Sequence, residues 1–141
     1  YKYRILILIS LVAIVLARPL IAINLEYNVE RVEHNFNHPW SSATLPNGDI
    51  LVTELIGKIK RIDIKTREVI DINGIPNVLF RGQGGLSDII LHPEFEKNNI
   101  VLISFSYGEK NKNTLKVISA ELIRNELINK KIIFEEIVLC T

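Results

Sequence analysis

Beyond residue 24 the apolar positions fall into short runs rich in β-branched residues, parted by turn signals about every 6 to 12 residues. No stretch there carries the 3.6-residue period of an amphipathic helix. One set of predicted strands comprises Trp40–Leu45, Asp49–Leu55, Lys58–Ile64 and Val69–Ile72. Pro46-Asn47-Gly48, Ile56-Gly57 and Lys65-Thr66-Arg67 join them in turn. Asn-Gly is a strong turn signal because both residues tolerate positive φ. A second set follows: Gly85–Leu91, Asn99–Tyr107, Thr114–Leu122 and Lys131–Leu139.

The two sets are copies of one unit. His92-Pro93 closes the first strand of the second set as Leu45-Pro46 closes that of the first, and the two prolines stand 47 residues apart. A four-stranded unit at that period suits a β-propeller blade, so the predicted fold is all-β. Val101, Ile103 and Phe105 make one face of their strand apolar, and Ile100 and Leu102 the other. A strand packed between neighbouring blades needs both. Two blades cannot close a ring, so further chain is expected after Thr141. The alternative is a complete eight-stranded sandwich of two sheets.

Composition narrows the class. With 141 residues, 48% apolar and 23% charged, the chain is too apolar for disorder, and a single cysteine makes no internal disulfide framework. A net charge of +1 leaves no basic footprint for nucleic acid.

Lys2 and Arg4 precede an apolar run from Ile5 to Ala17, the form of a secretory signal peptide. The run falls short of the about 20 residues that span a bilayer. Residues 1–22 are therefore expected to be a leader cleaved near Ala22, with an uncleaved anchor as the alternative. Residues 23–141 are then an incomplete propeller domain, periplasmic or secreted, with no membrane association after cleavage. Without the leader, 14 Lys and Arg face 16 Asp and Glu, about −2 in charge. Cys140 is expected to be a small buried thiol. Because the chain starts at Tyr1 and has no Met, residues are expected to precede it.

The candidate chemistry centres on Arg81-Gly82-Gln83-Gly84-Gly85-Leu86. Glycines on both sides of Gln83 let the backbone turn sharply and expose that amide. No Lys-Ser/Thr follows, and a strand comes next, so it is not a phosphate loop. The other reading is a connection whose glycines serve only the turn. His92 is expected to hydrogen-bond structurally at a strand end. His34 and His38 have no carboxylate at metal spacing, so no metal ligand is assigned. Asp88 is expected to cap a turn or line a central channel, and Glu54 could pair with Arg81. No catalytic triad is visible.

Taken together, Pro39-Trp40-Ser41, Leu45-Pro46-Asn47-Gly48, Leu51-Val52-Thr53-Glu54, Gly82-Gln83-Gly84-Gly85-Leu86, Asp88 and Leu91-His92-Pro93-Glu94-Phe95 resemble the soluble PQQ-dependent sugar dehydrogenases, the glucose/sorbosone or aldose sugar dehydrogenase family. The resemblance runs from about Val29 to Phe134. It implies a six-bladed propeller binding pyrroloquinoline quinone (PQQ) and calcium, which oxidises an aldose at C1 to a lactone by hydride transfer to the quinone. Its electron acceptor is not implied. Gln83 maps onto the family's pocket Gln and is the substrate- and cofactor-binding residue expected here. Ser87 and Glu94 depart from the commoner residues without endangering the fold. The family's catalytic His lies in a later His-x-Gly-Gly motif, and its Arg and Asn quinone contacts come later still. No catalytic residue is therefore expected in this chain, and the fragment alone should be inactive. The competing readings are a non-catalytic propeller that only binds, and a calcium-dependent lactonase-type propeller hydrolase.

Overall fold

The structure, a computed structural model, describes residues 26–31 and 34–136. The expected leader at residues 1–22, Cys140 and the end of the last predicted strand lie outside the described residues. The chain divides into two units, Tyr1–Arg31 and Val32–Thr141. In the first, residues 26–31 are exposed and form no regular structure. Among the described residues no helix is long and apolar enough to cross a membrane.

The second unit holds two antiparallel sheets. The first is β1 (Pro39–Thr44), β2 (Ile50–Glu54), β3 (Lys58–Ile62) and β4 (Val69–Asp71), paired in chain order. The second, also in chain order, is β5 (Leu86–Leu91), β6 (Ile100–Glu109), β7 (Lys112–Ile123) and β8 (Glu126–Glu135). The predicted turns close both meanders. Gly48 takes φ +92° and donates its N–H to the Leu45 carbonyl at 2.8 Å, and Gly57 takes φ +94° and donates to Glu54 at 2.9 Å. Asp63 caps the turn before β4, accepting from the N–H groups of Lys65 and Thr66 at 2.8 Å each. These two bonds hold its carboxyl below the usual range.

Two elements differ from the sequence expectation. A single helical turn, α1 (Phe95–Asn98), follows His92-Pro93 and ends on Asn99 in the left-handed region, φ +53°. Four residues are too few to show a period. The last strand begins at Glu126 and not at Lys131. Arg124 takes the positive φ of the preceding turn, +57°, so the tight turn carries no glycine signal. One-residue bulges, the first at Asn129 with φ +50°, then break the alternation of β8.

One core lies between the sheets. Leu45, Leu51, Ile59 and Ile72 of the first pack with Leu86, Ile89, Val101, Ile103, Phe105 and Ile118 of the second. The contact concentrates on the leading strands, β5 lying against both β1 and β2. A sandwich would instead stack the centres of its sheets. On the other side of the second sheet Ile90, Leu115 and Phe134 are exposed. An alternating sheet whose outer face is also apolar is built to be covered on both sides.

Thr53 is the polar pin of this core, with no exposed surface. Its Oγ1 donates to the Ser87 carbonyl at 2.8 Å and accepts from the Ser41 N–H at 3.0 Å, joining β2 to both leading strands. Thr53→Val keeps the shape and strands both groups. It is expected to cost about 2 kcal/mol in urea unfolding, with Thr53→Ser closer to the wild type. A cost within about 0.5 kcal/mol for Val would contradict this role.

Candidate functional site

The glycine-rich segment joins the two sheets, and its glycines do different jobs. Arg81 and Gly84 exchange N–H···O bonds of 3.0 and 2.9 Å, closing a two-residue turn over Gly82 and Gln83. Gly82 stands first in that turn with φ +59° and open space around a hypothetical Cβ, so it serves conformation alone. Gly85 is the reverse case. A Cβ there would lie 2.3 Å from the Leu55 carbonyl oxygen, so only hydrogen lets the turn approach the first sheet. The Gln83 side chain is exposed at the tip. Its amide both donates and accepts, which suits hydroxyl and carbonyl groups.

The backbone of Leu55 fixes what surrounds this turn. Its N–H donates to the His38 carbonyl at 2.9 Å, and its carbonyl accepts from the Leu86 N–H at 3.0 Å. The segment before β1 and the start of β5 therefore meet at the β2–β3 turn. The His38 and Phe80 rings lie 5.2 Å apart between centroids. From the other side Arg81 Nη1 donates to the Lys110 carbonyl at the β6–β7 hairpin tip. The rim thus gathers His38, Phe80, Arg81 and Gln83 from two connections.

Asp88 and Ser41, 47 residues apart, hold equivalent places on the leading strands. Each strand carries a one-residue bulge there, between Pro39 and Ser42 in β1 and between Leu86 and Ile89 in β5. Each bulge is supported by a hydroxyl of the next strand: Thr53 accepts from the Ser41 N–H and Ser104 from the Asp88 N–H. Ser41 Oγ then donates to Asp88 Oδ1, which also accepts from the Ile89 N–H at 2.9 Å. Asp88 therefore secures the junction of the two strands through both its backbone and its carboxylate.

The other candidates separate. His92 is structural: its Nδ1 accepts from the Glu94 N–H at 3.1 Å and pairs with the Asn98 amide at 2.9 Å. His34 packs edge-on against Phe36. Glu54 and Arg81 form no pair with each other among the described residues. Glu54, 2% exposed, accepts from the Asn37 N–H, while Arg81 reaches Lys110. The described residues hold no group of three or more His, Cys, Asp or Glu side chains suited to a metal, so the calcium implied by the resemblance has no such cluster among them. Phe80 escaped sequence reasoning, because in Val78-Leu79-Phe80 it looks like a core residue, yet it is 41% exposed.

Residues 36–139 match the family described as Glucose / Sorbosone dehydrogenase. The aldose sugar dehydrogenase YliI of Escherichia coli is 34% identical over 80 residues, 56% of this chain and 22% of that protein. The soluble aldose sugar dehydrogenase from Escherichia coli, solved in its apo-form, shares the fold with a TM-score of 0.72 at 28% identity, over 79% of this chain and 33% of that one. The PQQ-bound aldose sugar dehydrogenase from Streptomyces coelicolor gives 0.65 at 27% identity, over 79% and 34%. The chain spans between about a fifth and a third of the length of these relatives.

Proposed function

Because the chain belongs to the glucose/sorbosone dehydrogenase family, we propose that the whole protein is an exported quinoprotein that oxidises aldose sugars at C1 to lactones. Its two sheets are two blades of a β-propeller. The observation that carries the reading is the exposed Gln83 amide, held on a two-residue turn at the blade junction of a chain with these relatives. The quinone, when bound, would supply the hydride acceptor, and calcium would assist it.

The chain's own part is to bind and orient. Gln83 can donate to a carbonyl or carboxylate of the quinone and accept from a sugar hydroxyl, and the Arg81 guanidinium adds positive charge beside it. This donor set fits a ligand rich in carboxylates and carbonyls. A neutral amide cannot take the hydroxyl proton, so Gln83 is not the base, and the family resemblance puts the base on a later part of the whole protein. The apolar outer face of the second blade would be covered by the blade that follows. Export rests on the basic and apolar pattern of residues 1–22.

The test uses protein expressed from the complete reading frame and supplied with PQQ and calcium. Aldose-dependent dye reduction is expected, and Gln83→Ala should lower kcat/KM roughly tenfold to a hundredfold, the worth of one or two well-placed hydrogen bonds. No sugar-dependent reduction in quinone-loaded protein would overturn the enzyme reading. Sugar or quinone binding without turnover would favour a binding propeller.

A further inference from the structure

We infer that His38 and Phe80 form a sugar subsite beside Gln83, in which the Phe80 ring packs on the face of the aldose and His38 Nε2 accepts a hydroxyl hydrogen. This rests on the reading of the substrate as an aldose. Pyranose rings carry faces of C–H groups that pack on exposed aromatic rings, while their hydroxyls need acceptors at the edge. Phe80, three residues before Gln83, and His38, whose ring lies 5.2 Å from that of Phe80, offer the two kinds of group.

The backbone at His38 is strained, and its surroundings hold it so. His38 takes φ +56°, a conformation that a non-glycine residue seldom adopts without being held. Its carbonyl accepts from Leu55, and the neighbouring Asn37 N–H is tied to the buried Glu54 carboxylate. The ring orientation is set as well. His38 Nδ1 lies 2.6 Å from Asn37 Oδ1, and a carbonyl oxygen only accepts, so Nδ1 carries the proton. The other ring nitrogen, Nε2, has no hydrogen-bond partner among the described residues, and in the neutral form of the ring it is the one that presents a lone pair.

Phe80 supplies the apolar half. It stays 41% exposed although the core lies close by, and its ring stands against His38 at an interplanar angle of 58°. It immediately precedes Arg81, whose paired bonds with Gly84 close the turn that carries Gln83. His38 and Phe80 therefore stand at the foot of the turn whose tip carries Gln83. Glu54 and Asn37 act as positioning residues, reaching the sugar only through His38.

Whole quinone-loaded protein would be assayed with D-glucose, D-galactose and D-xylose, and sugar binding would be read separately by saturation-transfer NMR on quinone-free protein. Phe80→Ala is expected to raise KM about tenfold with kcat within about twofold, and to abolish the saturation transfer. Phe80→Tyr should keep both. His38→Leu should raise KM about fivefold, with His38→Gln partly restoring it because its amide oxygen accepts. Wild-type turnover with KM unchanged in Phe80→Ala and His38→Leu would overturn the subsite and leave the dehydrogenase reading intact. If the wild type does not oxidise sugar, the dehydrogenase reading falls; the NMR then decides the subsite. Transfer lost in Phe80→Ala sustains it, and no transfer in the wild type overturns it. Should Phe80→Ala not fold, the His38 pair carries the same test.

Discussion

Gly85→Ala is expected to destabilise the protein by about 3 kcal/mol, the upper range for a group forced into packed surroundings. The new Cβ would meet backbone on the first blade, 2.3 Å from the Leu55 oxygen, 2.9 Å from its carbonyl carbon and 3.0 Å from its Cα. Backbone cannot swing aside as a side-chain end does. To make room, the β2–β3 turn must move from Leu86, lengthening the Leu86 N–H bond to Leu55, and with it the tie from Leu55 to His38. The Ser106 N–H donates to the Gly85 carbonyl at 2.9 Å, so β6 is disturbed as well. Gly82→Ala is the control. Its Cβ has open space, and only the positive φ opposes it, so about 1 kcal/mol is expected. Urea unfolding of the two variants separates steric from conformational cost. Equal losses would mean that Gly85 is not held by close approach.

Arg61→Met is expected to cost about 3 kcal/mol at neutral pH, and the deficit should shrink in acid. Asp49 is 4% exposed, and Arg61 donates to its Oδ2 from Nε at 2.8 Å and Nη2 at 2.6 Å. Burial by itself would raise the Asp49 pKa. Hydrogen bonds from Asn47, Arg61 and the Ile64 N–H, with the Arg61 charge, outweigh it and hold the carboxyl below its usual value. A folded pKa below the unfolded one contributes stability that is present above about pH 4 and is lost as pH falls through the folded value. Asp71 follows the same sign, its carboxyl lowered by the Lys60 hydrogen bond. Removing Arg61 leaves a buried carboxylate without its cation, for which about 3 kcal/mol is typical. Protonation relieves that charge, so the wild-type and variant curves should converge below about pH 4. A gap constant from pH 7 to pH 3 would contradict the assignment. Arg61 Nη1 also donates to the Arg124 carbonyl at 3.2 Å and to Asn125 Oδ1 at 3.3 Å, so part of the loss is contact between blades.

Seven of the eight strands, the turns of the first sheet and the 47-residue repeat were legible in the sequence, because alternation and turn chemistry are local. Pro46-Asn47-Gly48 must turn wherever it stands, and Val101, Ile103 and Phe105 must share a face. Exposure of Gln83 on its turn was also legible, since Gly82 dictates a conformation that few other residues take. Where local chemistry was silent, reading failed: the Arg124 turn before β8 has no glycine, and Asn129 breaks the alternation that would have marked Glu126 as a strand start.

Tertiary structure alone decided the contacts between blades. Nothing near Ser41 in the chain says that its hydroxyl meets Asp88, or that Thr53 serves both leading strands. Gly85 is a glycine for the sake of Leu55, 30 residues away, and Phe80 lies open beside His38 although its neighbours in sequence suggest a core. Such pairings depend on how two twisted sheets approach each other, a sum of many side-chain volumes that leaves no periodic mark in the chain.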